Sequence, residues 1–178
     1  LTKLGENKAF YACMCYENGT VVDDLFIYCF NNEHYMLVVN AGNIKKDLEW
    51  IKKHALGLDV DIIDRADQTA KLDLQGPNSE KILQKLTKVD LKNLKRFFFI
   101  EDKIDNIKTI ISRTGYTGED GFELYFDSKD ANKIWNKLLS AGKQLGLKPI
   151  GLGARDTLRI ESCYSLYGHE LNNTITPL

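Results

Sequence analysis

A chain of 178 residues, 43% apolar and 28% charged with a net charge of −1, is long enough to bury a core and has the balance of a globular domain. Its lysines and acids are interspersed, which excludes the concentrated basic footprint of a nucleic-acid binder. No apolar run approaches the roughly 20 residues of a membrane-spanning helix, and no stretch reads as a signal or transit peptide.

Residues 10–16 and 21–30 are rich in aromatic and β-branched side chains, and Glu17-Asn18-Gly19 between them is a strong turn signal. Asn31-Asn32 makes a second turn and residues 35–39 a third strand, so the opening reads as an antiparallel meander. Cys13 and Cys15, two apart on one strand, share a face, and Cys29 lies on the next strand. With Cys163 they are expected as small reduced core residues, because no second ligand pair stands at metal-site spacing. A reducing compartment follows. Asn43 is placed to cap a helix over residues 44–55, whose stripe is Ile44, Leu48, Ile51 and Ala55, with Gly57 ending it. Residues 60–63 read as a short strand.

A second unit is expected to begin near Asp64, dividing the chain into residues 1–64 and 65–178. Residues 69–74 alternate as a half-buried strand does. Gln75-Gly-Pro-Asn78 then turns into a short helix carrying Ile82, Leu83 and Leu86, with Pro77 suited to its first turn. Residues 97–100 and 107–111 are strands around a polar turn, and residues 122–126 are a further strand. Ser128 is placed to cap a helix to about residue 145 with the stripe Ala131, Ile134, Trp135, Leu138 and Leu139. A last short helix is opened by Gly151 and Gly153. Antiparallel strands with helices on one side give an α+β class of mostly antiparallel sheets.

The longest connection is the most informative. Arg113-Thr-Gly-Tyr-Thr-Gly-Glu-Asp-Gly-Phe-Glu-Leu-Tyr125 sets three glycines among aromatics and acids between two apolar runs. A plain hairpin needs only two to five turn residues, so this loop has the look of a ligand contact, with a ligand-free glycine-rich connection as the alternative.

Three charged positions invite chemistry. Asp23 and Asp24 follow an apolar pair on the second strand, where neighbours face opposite sides, so only one is expected inward. An inward acid there is costly without a partner or a task; the alternative is a wet strand end. Glu123 lies on the opposite strand face from Phe122 and Leu124, and a carboxylate can accept a parallel pair of hydrogen bonds. Solvation on the open face is its alternative. Arg155 sits in the first turn of the glycine-opened helix, where free backbone N–H groups attract anions; an ion pair with Asp156 or Glu161 is the plainer reading. There is no phosphate-binding loop, no nucleophile elbow and no zinc spacing among His34, His54 and His169.

Four segments together resemble a known family: Tyr16-Glu-Asn-Gly-Thr-Val-Val-Asp-Asp-Leu25; Leu72-Asp-Leu-Gln-Gly-Pro77; Arg113 to Glu123; and Gly151 to Glu161 with Leu166-Tyr-Gly-His-Glu-Leu171. Their order and spacing are similar to the T-protein of the glycine cleavage system, a tetrahydrofolate-dependent aminomethyltransferase. The resemblance spans essentially the whole chain but only the middle of the family's length, so it implies two partial domains of a three-domain folate-binding enzyme. It implies transfer of an aminomethyl group from the lipoyl arm of H-protein to tetrahydrofolate with release of ammonia, and no metal. By resemblance Asp24 is the catalytic acid, able to orient the folate nitrogens, accept a proton, or stabilise an electron-poor carbon. Glu123 reads the pterin edge and Arg155 contacts the folate tail, while Tyr116, Asn40 and Tyr11 line the pocket. The implied partners are lipoylated H-protein and folate, without nucleic acid or membrane. The implied location is a bacterial cytoplasm or a mitochondrial matrix. Two alternatives stand beside it: the folate-binding portion of a dimethylglycine or sarcosine oxidising enzyme, and a non-catalytic folate-binding protein of iron–sulfur maintenance.

Overall fold

The computed structural model of the protein describes residues 4–178, so the first three residues of the expected opening domain lie outside the described residues. The chain forms two compact units. One is built on Phe10–Ala66 and Ser165–Leu178, the other on Asp67–Tyr164 with Asn7–Ala9.

In the first unit, strands β1 (Lys8–Cys15), β2 (Val21–Cys29) and β3 (Tyr35–Val38) form one sheet in that order. The β1–β2 turn closes with hydrogen bonds from the Tyr16 N–H to the Thr20 carbonyl (2.8 Å) and from the Gly19 N–H to the Tyr16 carbonyl (2.9 Å). β2 pairs antiparallel with β3 through Phe26–Val38 to Cys29–Tyr35. It is buried along nearly its whole length, which marks a strand covered on both faces. Part of that cover is the C-terminal stretch: the Val21 N–H donates to the Asn172 and Ile175 carbonyls at 3.1 and 3.2 Å.

Helix α1 (Ile44–His54) follows a 3-10 turn over Ala41–Asn43. Its expected apolar stripe is only half-buried, and its one buried residue is Asp47. Asn43 precedes the helix but makes no side-chain cap; its amide goes elsewhere. Residues 60–63 do not form a strand. Val60 and Ile63 are exposed and no neighbouring strand takes up their backbone groups, without which so short an apolar run does not hold as a strand.

In the second unit, β4 (Thr69–Gln75), β5 (Phe99–Ile104), β6 (Ile107–Ser112) and β7 (Gly121–Asp127) make an antiparallel sheet in the order β4-β7-β6-β5. Helices α2 (Ser79–Leu83) and α3 (Ala131–Gly142) contribute Ile82, Leu83, Ile134 and Leu138 to a core that includes Leu74, Ile104, Ile111, Phe122, Leu124 and Phe126. Helix α4 (Leu152–Glu161) follows Gly151. The α+β class with antiparallel sheets is what the patterning predicts.

Local expectations shift for identifiable reasons. β5 starts at Phe99, because Phe97 takes a left-handed φ of 62° that a strand cannot include. Asp127, not Ser128, caps the turn before α3, accepting from the Lys129 N–H at 3.1 Å. Trp135 is 40% exposed, because α3 buries only the narrow line Ile134, Leu138 and Gly142. Leu86 follows α2 and still packs against the core from a turn. Of the four cysteines only Cys29 is a core residue; Cys13 is half-buried, and Cys15 and Cys163 are exposed.

The glycine loop between β6 and β7 is held from within. The Gln75 Nε2 donates to the Thr114 and Phe122 carbonyls at 3.1 and 3.3 Å, strapping the two sides of the loop. A Cβ on Gly115 or Gly121 would stand 2.0 or 2.1 Å from the Gln75 Oε1, so both positions need glycine to admit that amide. Arg113 spends all five guanidinium N–H donors here. It forms a bidentate pair with Asp120 (2.8 and 2.5 Å), reaches Glu80 at 2.8 Å, and donates to the Leu91 and Leu94 carbonyls at 3.0 Å each.

Candidate functional site

Among the described residues, each unit carries a buried polar cluster that contains candidate residues. In the first, β2 presents Asp23 and Asp24 side by side, and both are buried. One was expected inward; the cover on both faces of β2 takes in the other as well. Asp24 accepts a hydrogen bond from the Tyr11 hydroxyl at 2.9 Å and from the Asn40 Nδ2 at 2.7 Å. Asp23 accepts from the Asn40 N–H (3.2 Å), the Asn40 Nδ2 (2.9 Å) and the Asn43 Nδ2 (2.9 Å). The Asn40 amide therefore bridges the two acids. Burial pushes the Asp24 carboxyl above its ordinary range and the Asp23 charge adds to this, against the two hydrogen bonds that favour the ion. Tyr11 keeps its proton, raised by burial and by the Asp24 charge beside it.

Beneath this pair lies Asp47, fully buried, with neither oxygen accepting a hydrogen bond. Its carboxyl is pushed up to about 8 by burial and by the neighbouring Asp23 carboxyl. Lys46 stands 3.6 Å away but also faces the Val22 carbonyl and the Tyr167 ring. The unfolded reference lies near 4, so between about pH 4 and 8 the folded state holds a proton that the unfolded state releases. Stability should therefore fall as pH rises through this window. Asp47→Asn is expected to raise the melting temperature of the full-length protein by several degrees at pH 8 and by less at pH 5. Thermal denaturation at both pH values checks this; a gain independent of pH would refute the buried proton.

In the second unit the register sets Asp73 of β4 directly opposite Glu123 of β7. Like charges facing across a strand pair repel. Lys71, two residues before Asp73 on the same face, resolves this by ion-pairing with the Glu123 Oε1 and standing 3.4 Å from the Asp73 Oδ1. The Glu123 Oε2 accepts from the Thr114 hydroxyl (2.6 Å) and the Tyr125 hydroxyl (3.1 Å). Glu123 is 3% exposed, and burial alone would raise it. The Lys71 charge and the hydrogen bonds from Lys71, Thr114 and Tyr125 instead hold it below the usual glutamate range. Asp73 is raised, by burial first and by Glu123, against Lys71 and Arg155.

The Arg155 Nη1 meets the Asp73 Oδ2 at 3.2 Å, not Asp156 or Glu161, and its guanidinium lies 4.6 Å from the Tyr116 ring centroid. Tyr116 stacks on Tyr164 at 5.8 Å, and the Arg96 Nη2 donates to the Tyr164 hydroxyl at 3.0 Å. Asp156 is taken by Arg159 at 2.8 Å.

The predicted residues thus fall into two groups. Tyr11, Asp24 and Asn40 are in direct contact in the first unit. In the second, Arg155 touches Tyr116 and is linked to Glu123 through Asp73 and Lys71. Sequence reasoning missed Asp47, whose signal was an acid beside an apolar helix stripe. It also missed Lys71 and Asp73, whose signal was a cation and an acid at strand spacing i, i+2. Among the described residues no group of three or more His, Cys, Asp or Glu is placed to hold a metal ion. An open groove lined by Tyr16, Asn18, Trp50 and Lys53 contains none of the candidate residues.

Comparison with known proteins adds a family. The family model described as the GCVT N-terminal domain matches residues 1–178. An aminomethyltransferase from Alkaliphilus metalliredigens is 53% identical over 178 residues, covering 99% of this chain and 48% of the relative. One from Thermoanaerobacter pseudethanolicus is 52% identical, covering 100% of this chain and 49% of the relative. The chain spans about half the length of the curated relatives it matches. Among solved structures, glycine cleavage system aminomethyltransferase T from Bartonella henselae superposes with a TM-score of 0.87 at 31% identity, over 98% of this chain and 46% of that one. Heterotetrameric sarcosine oxidase from Corynebacterium sp. U-96 shares the fold over 75% of this chain and 66% of that one, with a TM-score of 0.56 at 18% identity. A family model that covers every residue, and relatives at this identity along the whole chain, make this chain a member of the GCVT N-terminal domain family.

Proposed function

We propose that the full-length protein carrying this chain is the aminomethyltransferase of the glycine cleavage system. It moves an aminomethyl group from the lipoyl arm of H-protein to tetrahydrofolate and releases ammonia. The observation that carries this reading is the unbroken match of the chain to aminomethyltransferases at 52–53% identity. We place the protein in a bacterial cytoplasm, in keeping with its bacterial relatives, or in a mitochondrial matrix if the gene is eukaryotic.

The residues present suit a folate. Glu123 is a buried, ionised carboxylate, and the amino-pyrimidinone edge of a pterin offers the paired N–H donors such a group accepts. Arg155 is a partly exposed guanidinium over an aromatic ring, suited to the carboxylates of a folate tail. Tetrahydrofolate supplies the nitrogens that take up the one-carbon unit. Asp24 is the catalytic acid. Its carboxylate is aimed by Tyr11 and Asn40, and burial raises its proton affinity, which favours accepting a proton from a reacting nitrogen. Tyr11, still protonated, holds the Asp24 Oδ2 and leaves lone pairs of both oxygens for substrate. Tyr116 and Asn40 act as pocket walls.

The test is turnover of the full-length protein with aminomethyl-loaded, lipoylated H-protein. Release of ammonia that requires tetrahydrofolate is the expected result. Ammonia release unaffected by folate, or a full gene that fuses this chain to a flavin domain, would overturn the reading.

A further inference from the structure

We propose that Asp47 is a positioning residue for aminomethyl transfer: it shares a proton with Asp23, and through Asp23 it sets the Asn40 amide on the Asp24 carboxylate. This rests on the reading of Asp24 given above and deepens it.

Asp47 is the buried residue of α1, fully enclosed, and no donor reaches either of its oxygens. A buried carboxylate without donors is costly, so Asp47 sits there as the neutral acid. Lys46 beside it does not change this. Its Nζ stands 3.6 Å away, beyond a good hydrogen bond, and is turned to the Val22 carbonyl and the Tyr167 ring. A neutral carboxyl has one O–H to give, and a buried O–H requires an acceptor. The neighbouring group able to accept is the Asp23 carboxylate. Two carboxyls that share one buried site hold a single proton between them.

What this pair does follows from where the asparagines lie. Asp23 accepts from the Asn40 N–H, the Asn40 Nδ2 and the Asn43 Nδ2. The same Asn40 Nδ2 stands 2.7 Å from the Asp24 Oδ1 and 2.9 Å from the Asp23 Oδ1, and its two hydrogens serve both acids. With one proton in the pair, Asp23 keeps its place, and the amide that bridges it to Asp24 keeps its aim. With that proton lost, two buried anions repel and both draw on the amide donors, so Asp24 loses the hydrogen bond that orients it. Among the described residues, the charged and titratable groups bearing on Asp47 are Asp23 from β2 and Lys46 from its own helix, with Tyr167 of the C-terminal stretch against Lys46. Asp24 and Tyr11 join them through Asn40. Asp47 releases its proton at about pH 8, within the range where turnover is measured.

The experiment is the pH profile, from pH 6 to 9, of tetrahydrofolate-dependent ammonia release by the full-length protein with aminomethyl-loaded, lipoylated H-protein. Wild type, Asp47→Asn and Asp47→Leu are compared. Asparagine donates to Asp23 as the neutral acid does and has no proton to lose. Asp47→Asn should therefore match wild-type kcat at pH 7 and exceed it by about tenfold at pH 9, where wild type has ionised. Leucine offers no donor. Asp47→Leu should lose about tenfold or more in kcat at pH 7, as for one hydrogen bond to a charged group, with KM for tetrahydrofolate little changed. The substrates are common to all three, so their own titration cancels in the ratio to wild type. A merely structural role moves the melting curve and leaves the pH profile where it was. An Asp47→Asn profile superimposable on wild type overturns the proposal. So does Asp47→Asn that loses turnover at pH 7, or Asp47→Leu that keeps it. Should Asp47→Leu misfold, the Asp47→Asn profile decides alone. Wild type that releases no ammonia in response to folate overturns the reading of the site and the proposal with it, so the two failures are told apart.

Discussion

Asp24→Asn in the full-length protein should abolish aminomethyl transfer with the fold intact. Asparagine has the same shape, and its Oδ1 can still accept from Tyr11 or from the Asn40 amide, so the local packing survives. What disappears is the negative charge and the capacity to take a proton. General-base contributions are worth about 10²–10⁴ in rate, and a charge placed beside developing positive charge is worth about as much. The turnover number should fall by at least about a hundredfold while circular dichroism and the melting curve stay close to wild type. Turnover within a few-fold of wild type would remove Asp24 from the chemistry and turn attention to Asp23, which the Asn40 amide holds in the same network.

Glu123→Ala should weaken tetrahydrofolate binding about 30-fold or more, since losing one partner of a buried charged hydrogen bond costs on the order of 2–5 kcal/mol. Two effects add. The ligand's donors lose their acceptor, and the Thr114 and Tyr125 hydroxyls lose theirs, leaving a polar hollow that water must fill. Calorimetric titration reads the affinity directly. An unchanged dissociation constant would mean that the pterin lies elsewhere and that Glu123 is only the counter-ion of Lys71.

Patterns with strict periods were legible in the sequence. The 69–74 strand and the 44–55 helix came from alternation and stripe spacing, the 10–16 and 21–30 strands from their aromatic and β-branched content, and the hairpin turn at Asn18-Gly19 from its residue types. What failed were elements that depend on a neighbour. Residues 60–63 have strand composition but no strand to pair with. Phe97 looks like strand but is turned by a left-handed backbone that no composition announces. The site was legible in its named acids and arginine, and not in what ties them together. The Asp73–Glu123 opposition is a fact of register between strands about 50 positions apart in the chain, and register is set by the whole sheet. Asp47 was hidden for a related reason: an acid beside a helix stripe looks solvated until the sheet beneath it proves to be lined with acids.

Arg113, with every donor engaged, and Gln75, wedged between Gly115 and Gly121, bear on how a guest is received. A loop rich in glycine ordinarily surrenders much disorder when it closes on a ligand, and that loss is subtracted from affinity. Here the disorder is already gone when the chain folds. The affinity of the β6–β7 loop for any guest is then set by the fit of its surface, and a guest can leave without waiting for the loop to open.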